Sequence, residues 1–109
     1  MGKMDINIKV NNYKINTKGI KQNNIITCID NNDNQTKIKI DTENLILKRE
    51  NNDIIINIDF KNKNIEYYLK EHNKKVNSPI KVNKITKENQ KIKINYTNEE
   101  EFTLEITYK

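Results

Sequence analysis

A chain of 109 residues has room for one domain around one modest core, and its net charge of +5 is compatible with nucleic acid or an anionic surface. The single cysteine, Cys28, excludes an intramolecular disulfide and with it the disulfide-dense secreted scaffolds. No apolar run approaches the ~18 residues of a membrane-spanning helix, and no stretch has the layout of a secretory signal.

The expected domain runs over residues 1–109, with 1–3 read as a short added stretch ahead of an alternative start at Met4. The first expected strand, 4–10, alternates Ile6, Ile8 and Val10 with Asn7 and Lys9. Such alternation buries one face of a strand and leaves the other wet. Asn11-Asn12 then marks a turn, because Asn tolerates positive φ and bonds its own backbone. The second strand, 13–21, contains Gly19, which suggests a bulge or sharp bend. Strands at 25–30 and 35–40 follow, the latter alternating Ile38 and Ile40 with Lys37 and Lys39. A central hairpin pairs 45–49 with 54–60 across Asn51-Asn52-Asp53. A strand at 65–72 leads into the ambiguous stretch from Tyr67 to Val76, which has enough helical character to hold a turn of helix. Pro79 precedes a strand start at Ile80, where its missing N–H removes no ladder bond. The strands 80–86, 91–96 and 102–108 complete the count of about nine or ten.

Turn clusters recur about every ten residues, the spacing of an antiparallel meander. Long Ile-rich strands with open edges invite aggregation, and closing the sheet removes the edges. The fold class is therefore all-β, a single small antiparallel up-and-down barrel. Mean hydropathy is low, at -0.95. Ile, Leu, Val and Phe still make up about a quarter of the chain, above the level of disordered sequences. Asn and Ile each supply close to a fifth of the residues. Together with the abundant Lys they point to an AT-rich genome, so the basic charge has a codon-level explanation as well as a functional one.

Four stretches in order carry a family resemblance: INTKG (Ile15 to Gly19), LILKRENNDIIINIDF (Leu45 to Phe60), KIKINYT (Lys91 to Thr97) and EFTLEITYK (Glu101 to Lys109). On these the chain resembles an uncharacterised calycin-like β-barrel family of low-GC Gram-positive bacteria. It departs from that family in being shorter and in having Leu69-Lys70 where a Gly tends to follow an aromatic residue. The resemblance implies a lipocalin-like barrel and supplies no catalytic residues, because the family's activity is unassigned. Shape alone does not give function.

The residues themselves offer little chemistry. His72 is the one histidine, and a Cys28–His72 dyad competes with an inert buried thiol and a solvated imidazole. Glu99-Glu100-Glu101 form a carboxylate run at an expected turn, but consecutive side chains alternate direction and do not converge on a cation. With no convergent acid–base pair, metal set or cofactor motif, the expectation is a protein that is not an enzyme and takes no cofactor. Strands of about five to seven residues favour an interior packed full or nearly so by aliphatic side chains; if a ligand enters it, Tyr13 and Tyr67 are the candidates to meet its polar head. A second reading places an acidic protein or RNA partner on a basic surface around Lys70, Lys74, Lys75 and Lys81, near Tyr68. Clustering of lysine on one side would favour that reading, and an even spread would not. The expected compartment is the bacterial cytoplasm.

Overall fold

A computed structural model describes residues 2–109. Eleven strands follow one another: β1 (Met4–Val10), β2 (Tyr13–Gln22), β3 (Ile25–Ile29), β4 (Lys37–Asp41), β5 (Ile46–Glu50), β6 (Ile54–Asp59), β7 (Asn64–Leu69), β8 (Lys74–Pro79), β9 (Lys81–Glu88), β10 (Lys91–Asn98) and β11 (Glu100–Tyr108). Each pairs antiparallel with its chain neighbour, save that β8 and β9 do not pair with each other and β1 also pairs with β11. The order β8-β7-β6-β5-β4-β3-β2-β1-β11-β10-β9 bends this sheet into a nearly closed up-and-down barrel.

The two ends of that order, β8 and β9, are separated by Ile80 alone. They form the halves of one long strand that changes partner part-way. The first half pairs with β7, the second with β10. Ile80 still donates its N–H to the Lys63 carbonyl on the β7 side, at 3.0 Å. Backbone N–H groups alternate in direction along a strand, so position 79 faces the opposite edge, the open seam. Pro79 stands there and has no N–H to leave unpaired.

This arrangement corrects three expectations. Tyr67 to Val76 is not helical; it is the β7–β8 hairpin. Pro79 does more than precede a strand, β9: it also closes one, β8. The strand expected at 80–86 is the second half of a strand that begins at Lys74, hidden from the sequence because Val76 is the one aliphatic side chain in Lys74–Pro79. A fourth correction concerns Gly19, which lies in unbroken register with Met4 on one side and Cys28 on the other. The glycine is needed for close approach: a Cβ there would lie 2.6 Å from the Thr27 carbonyl oxygen and 2.9 Å from the Cys28 Cβ. The register shift of the sheet lies instead between β9 and β10 at Asn95/Tyr96, where Val82 and Lys84 pair with these neighbours and Asn83 is the extra residue.

Alternation places the buried side chains on the inside. Ile6, Ile26, Ile38, Ile92, Ile94 and Leu104 are all buried at 1% exposure or less. Lys, Asn, Glu and Thr take the outward positions of most strands, the reverse of a lipid-facing barrel's apolar outer band. No helix among the described residues is long and apolar enough to cross a membrane.

The barrel has two unlike ends. The lower end carries the β2–β3, β4–β5, β6–β7 and β9–β10 turns and is plugged by Phe60, whose N–H is held by the Leu45 carbonyl at 3.0 Å. Phe60 meets Tyr96 edge-on, with ring centroids 5.2 Å apart. The void left among Ile40, Phe60, Ile92 and Ile106 is about 10 Å³, room for no more than one water. The upper end carries the remaining turns and is not plugged.

Candidate functional site

The inward faces of the strands define a cavity of about 270 Å³ in the upper half of the barrel. Its floor and walls are aliphatic: Ile8, Ile15, Ile38, Leu47, Ile58 and Ile65. Aromatic rings complete the wall, with Tyr96 and Phe102 stacked at 5.3 Å between centroids. Val10, Tyr13, Arg49, Tyr67 and Asn98 stand nearer the open end. An interior packed full, which the short strands suggested, is realised in the lower half alone.

Tyr13 and Tyr67, singled out from the sequence, both line this cavity. They differ in setting. Tyr67 faces Ile56 and Val76 across the sheet and packs against the core, while its neighbour Tyr68 turns outward and donates its hydroxyl to Asn73 at 2.5 Å. Tyr13 lies at the rim, 45% exposed, and donates its hydroxyl to Asp30 Oδ2 at 2.7 Å. That bond is the largest cause of a phenol pKa above the ordinary value. Burial pushes the Tyr96 phenol up, and nearby Tyr67 adds to it.

Asp30 is a charged group with no exposed surface. Besides the Tyr13 hydroxyl it accepts the Asn32 N–H at 2.9 Å and faces Arg49 Nη2 at 3.4 Å. Buried carboxylates persist when donors of this kind surround them. Asp30 stands behind the cavity wall; Tyr13 and Arg49 form the wall in front of it. Arg49 faces Ile38 on one side and Ile56 on the other, an arginine in a row of inward aliphatic residues. Its Nε is a buried donor without a partner among the described residues.

Sequence reasoning missed Asp30 and Arg49, although the signal was present. Asp30 continues the inward phase of Ile26 and Cys28, and Arg49, the one arginine of the chain, continues that of Leu45 and Leu47. A charge on the inward phase of an alternating strand must have a partner or a purpose.

Of the basic candidates, three belong to the β7–β8 hairpin, with Lys75 opposite Tyr68. Lys70 is bound to Glu50 at 2.9 Å, Lys74 and Lys75 lie on β8, and Lys81 on β9. Further lysines around the barrel pair with carboxylates, among them Lys18 with Asp5 and Lys91 with Glu105. Cys28 is buried on β3 and His72 is exposed in the β7–β8 turn. Burial, with the Asp30 charge adding to it, pushes the Cys28 thiol up to about 11, far from a reactive thiolate. Of the glutamate run, Glu99 forms the turn at φ 66°, while Glu100 and Glu101 begin β11. The described residues contain no cluster of three or more His, Cys, Asp or Glu able to hold a metal ion.

No family model, curated protein or solved structure matches the chain.

Proposed function

We propose that this protein is a non-enzymatic binding module of calycin-like shape, which holds a small apolar ligand in the upper half of its barrel. The observation that carries the reading is the contrast between the two halves. Native interiors are close-packed, with few voids larger than a water molecule. The lower half obeys that rule, with about 10 Å³ free; the upper half leaves about 270 Å³ lined by aliphatic and aromatic side chains. That volume falls just below the usual range for ligand pockets, about 300–1,000 Å³. The reading places the protein in a reducing cytoplasm, where a lone buried thiol is unremarkable. Exterior lysines, spread around the barrel and several of them paired, give a partner-binding surface less support than the cavity gives a ligand.

The test is titration with 1-aminonaphthalene, a small neutral dye whose emission shifts to the blue in apolar surroundings. One saturable site per chain is expected, and its loss in Ile56→Trp, which fills the cavity from a half-buried wall position without opening the core. Absence of saturable binding, or binding that Ile56→Trp leaves unchanged at native melting temperature, would remove the proposal.

A further inference from the structure

Resting on the proposal that the upper cavity holds an apolar ligand, we infer that the ligand is a monoanionic amphiphile of short chain, whose carboxylate is received by Arg49 at the mouth.

Three observations converge on this class. First, the cavity is apolar in depth and polar at one place. Ile8, Ile15, Leu47, Ile58 and Ile65 surround its interior, and Arg49 is the one cationic group in its lining. A ligand complementary to such a wall has an apolar body and one polar head. Second, the arginine has donors to spare. Of the five N–H groups of a guanidinium, the Asp30 contact at 3.4 Å occupies one, at the long limit of a hydrogen bond. Nε is buried and has no partner, so the donors open to a ligand are those of the terminal nitrogens, on a side chain 36% exposed. The planar fork of a guanidinium matches a carboxylate through two parallel bonds, which selects an anion over a neutral acceptor. Third, Asp30 has partners other than Arg49. The Tyr13 hydroxyl at 2.7 Å and the Asn32 N–H at 2.9 Å already hold its two oxygens, and it stands behind the wall without touching the cavity. Asp30 therefore fixes the rim through Tyr13 and leaves the guanidinium able to face inward. Its negative charge also moderates the pull of Arg49, so the site takes one anionic group and no more.

Chain length follows from volume. About 270 Å³ lies just below the roughly 300–1,000 Å³ of usual ligand pockets, so the tail is short, and one of about eight carbons is the length to test.

The experiment is displacement of 1-aminonaphthalene by octanoate, 1-octanol and octylammonium, which share a tail and differ in head. Octanoate is expected to bind at least about tenfold more tightly than 1-octanol, with octylammonium weakest, since a charge-assisted hydrogen bond exceeds a neutral one by about that factor. Arg49→Met should bring octanoate down to 1-octanol and leave 1-octanol unchanged. Asp30→Asn, which keeps an acceptor for Tyr13, should tighten octanoate severalfold by removing the competing charge. If Arg49→Met alone fails to fold because Asp30 loses a counter-charge, Asp30→Asn/Arg49→Met supplies the same comparison with no buried charge. Equal affinity for octanoate and 1-octanol, or a preference for octanoate that survives Arg49→Met, overturns the inference and leaves the apolar site standing. Failure of all three compounds to displace the dye removes both.

Discussion

Among the described residues, eight other than glycine hold positive φ, and they mark the turns of the barrel. Asn11, Asn23, Asn34 and Asn73 do so at small cost, because a short amide side chain tolerates the left-handed region. Leu45, Lys63, Gln90 and Glu99 occupy the same region without that tolerance. Gln90 is the cleanest place to measure the cost, being exposed and bonded through its carbonyl alone, to the Tyr108 N–H at 3.0 Å. Gln90→Gly should stabilise by up to ~1 kcal/mol, since relief of the left-handed strain exceeds the extra chain entropy of glycine. Gly19→Ala should act in the opposite sense and destabilise by about 1–3 kcal/mol, because the new methyl meets backbone and a buried side chain that are both fixed. Denaturant melts of the two variants read both effects, and a neutral Gly19→Ala would contradict the close approach of β2 to β3. At this scale the abundance of Asn was legible as turn chemistry. The role of Gly19 was not, because a sequence cannot show which backbone comes within 3 Å of another.

At the scale of the element, the strands differ in how firmly they are held. β1 and β11 are paired on both edges and contribute Ile6, Ile8, Leu104 and Ile106 to the core. β8 is paired on one edge, and five of its six residues are exposed. Few buried contacts and a free edge are the marks of a segment that opens locally. Amide hydrogens of β8 should exchange at least about a hundredfold faster than those of β1 and β11, read residue by residue by NMR. Comparable protection would mean that the seam is sealed in solution. The same weakness explains why β8 escaped the sequence: a strand buried on neither face has no period of two to display. Arg49 and Asp30 escaped for a different reason. Both were in phase with the inward residues of their strands, and their charge argued against the position that the phase assigned.

For the whole molecule, the connections of the barrel rest on carboxylates that cap their own turns. Asp33 accepts the N–H groups of Gln35 and Thr36 and the Thr36 hydroxyl, which holds its carboxyl down at about 2. Asp41 accepts from Glu43 and Asn44 and lies below the ordinary carboxylate range for the same reason, the Asn44 N–H first. Glu50 is lowered by its hydrogen bond from Lys70. A carboxyl whose folded pKa is depressed adds stability that is complete above its unfolded value and lost as pH falls toward the folded one. The melting temperature should therefore be flat on the acid side down to about pH 5 and fall between about pH 4 and 2. Asp33→Asn, which keeps an acceptor oxygen in the turn but removes the titrating group, should make that fall shallower. Melts by circular dichroism over this range check it, and a native slope unchanged in Asp33→Asn would show that the loop opens without affecting the fold.

The sequence by itself determined the class of structure and the phase of its strands. Apolar side chains at every second position admit one way of being buried, and Asn-rich breaks about every ten residues admit one kind of connection, the antiparallel turn. From the same pattern came Tyr13 and Tyr67 as inward hydroxyl groups. The tertiary structure alone decided that the barrel is closed by one strand changing partners at Ile80. It alone decided that Phe60 fills the lower half while the upper half stays open, and that Asp30, in the loop after β3, meets Tyr13 of β2 and Arg49 of β5. The physical reason is range. Alternation is fixed by the geometry of neighbouring residues, whereas cavity volume and charge pairing depend on side chains brought together from distant parts of the chain.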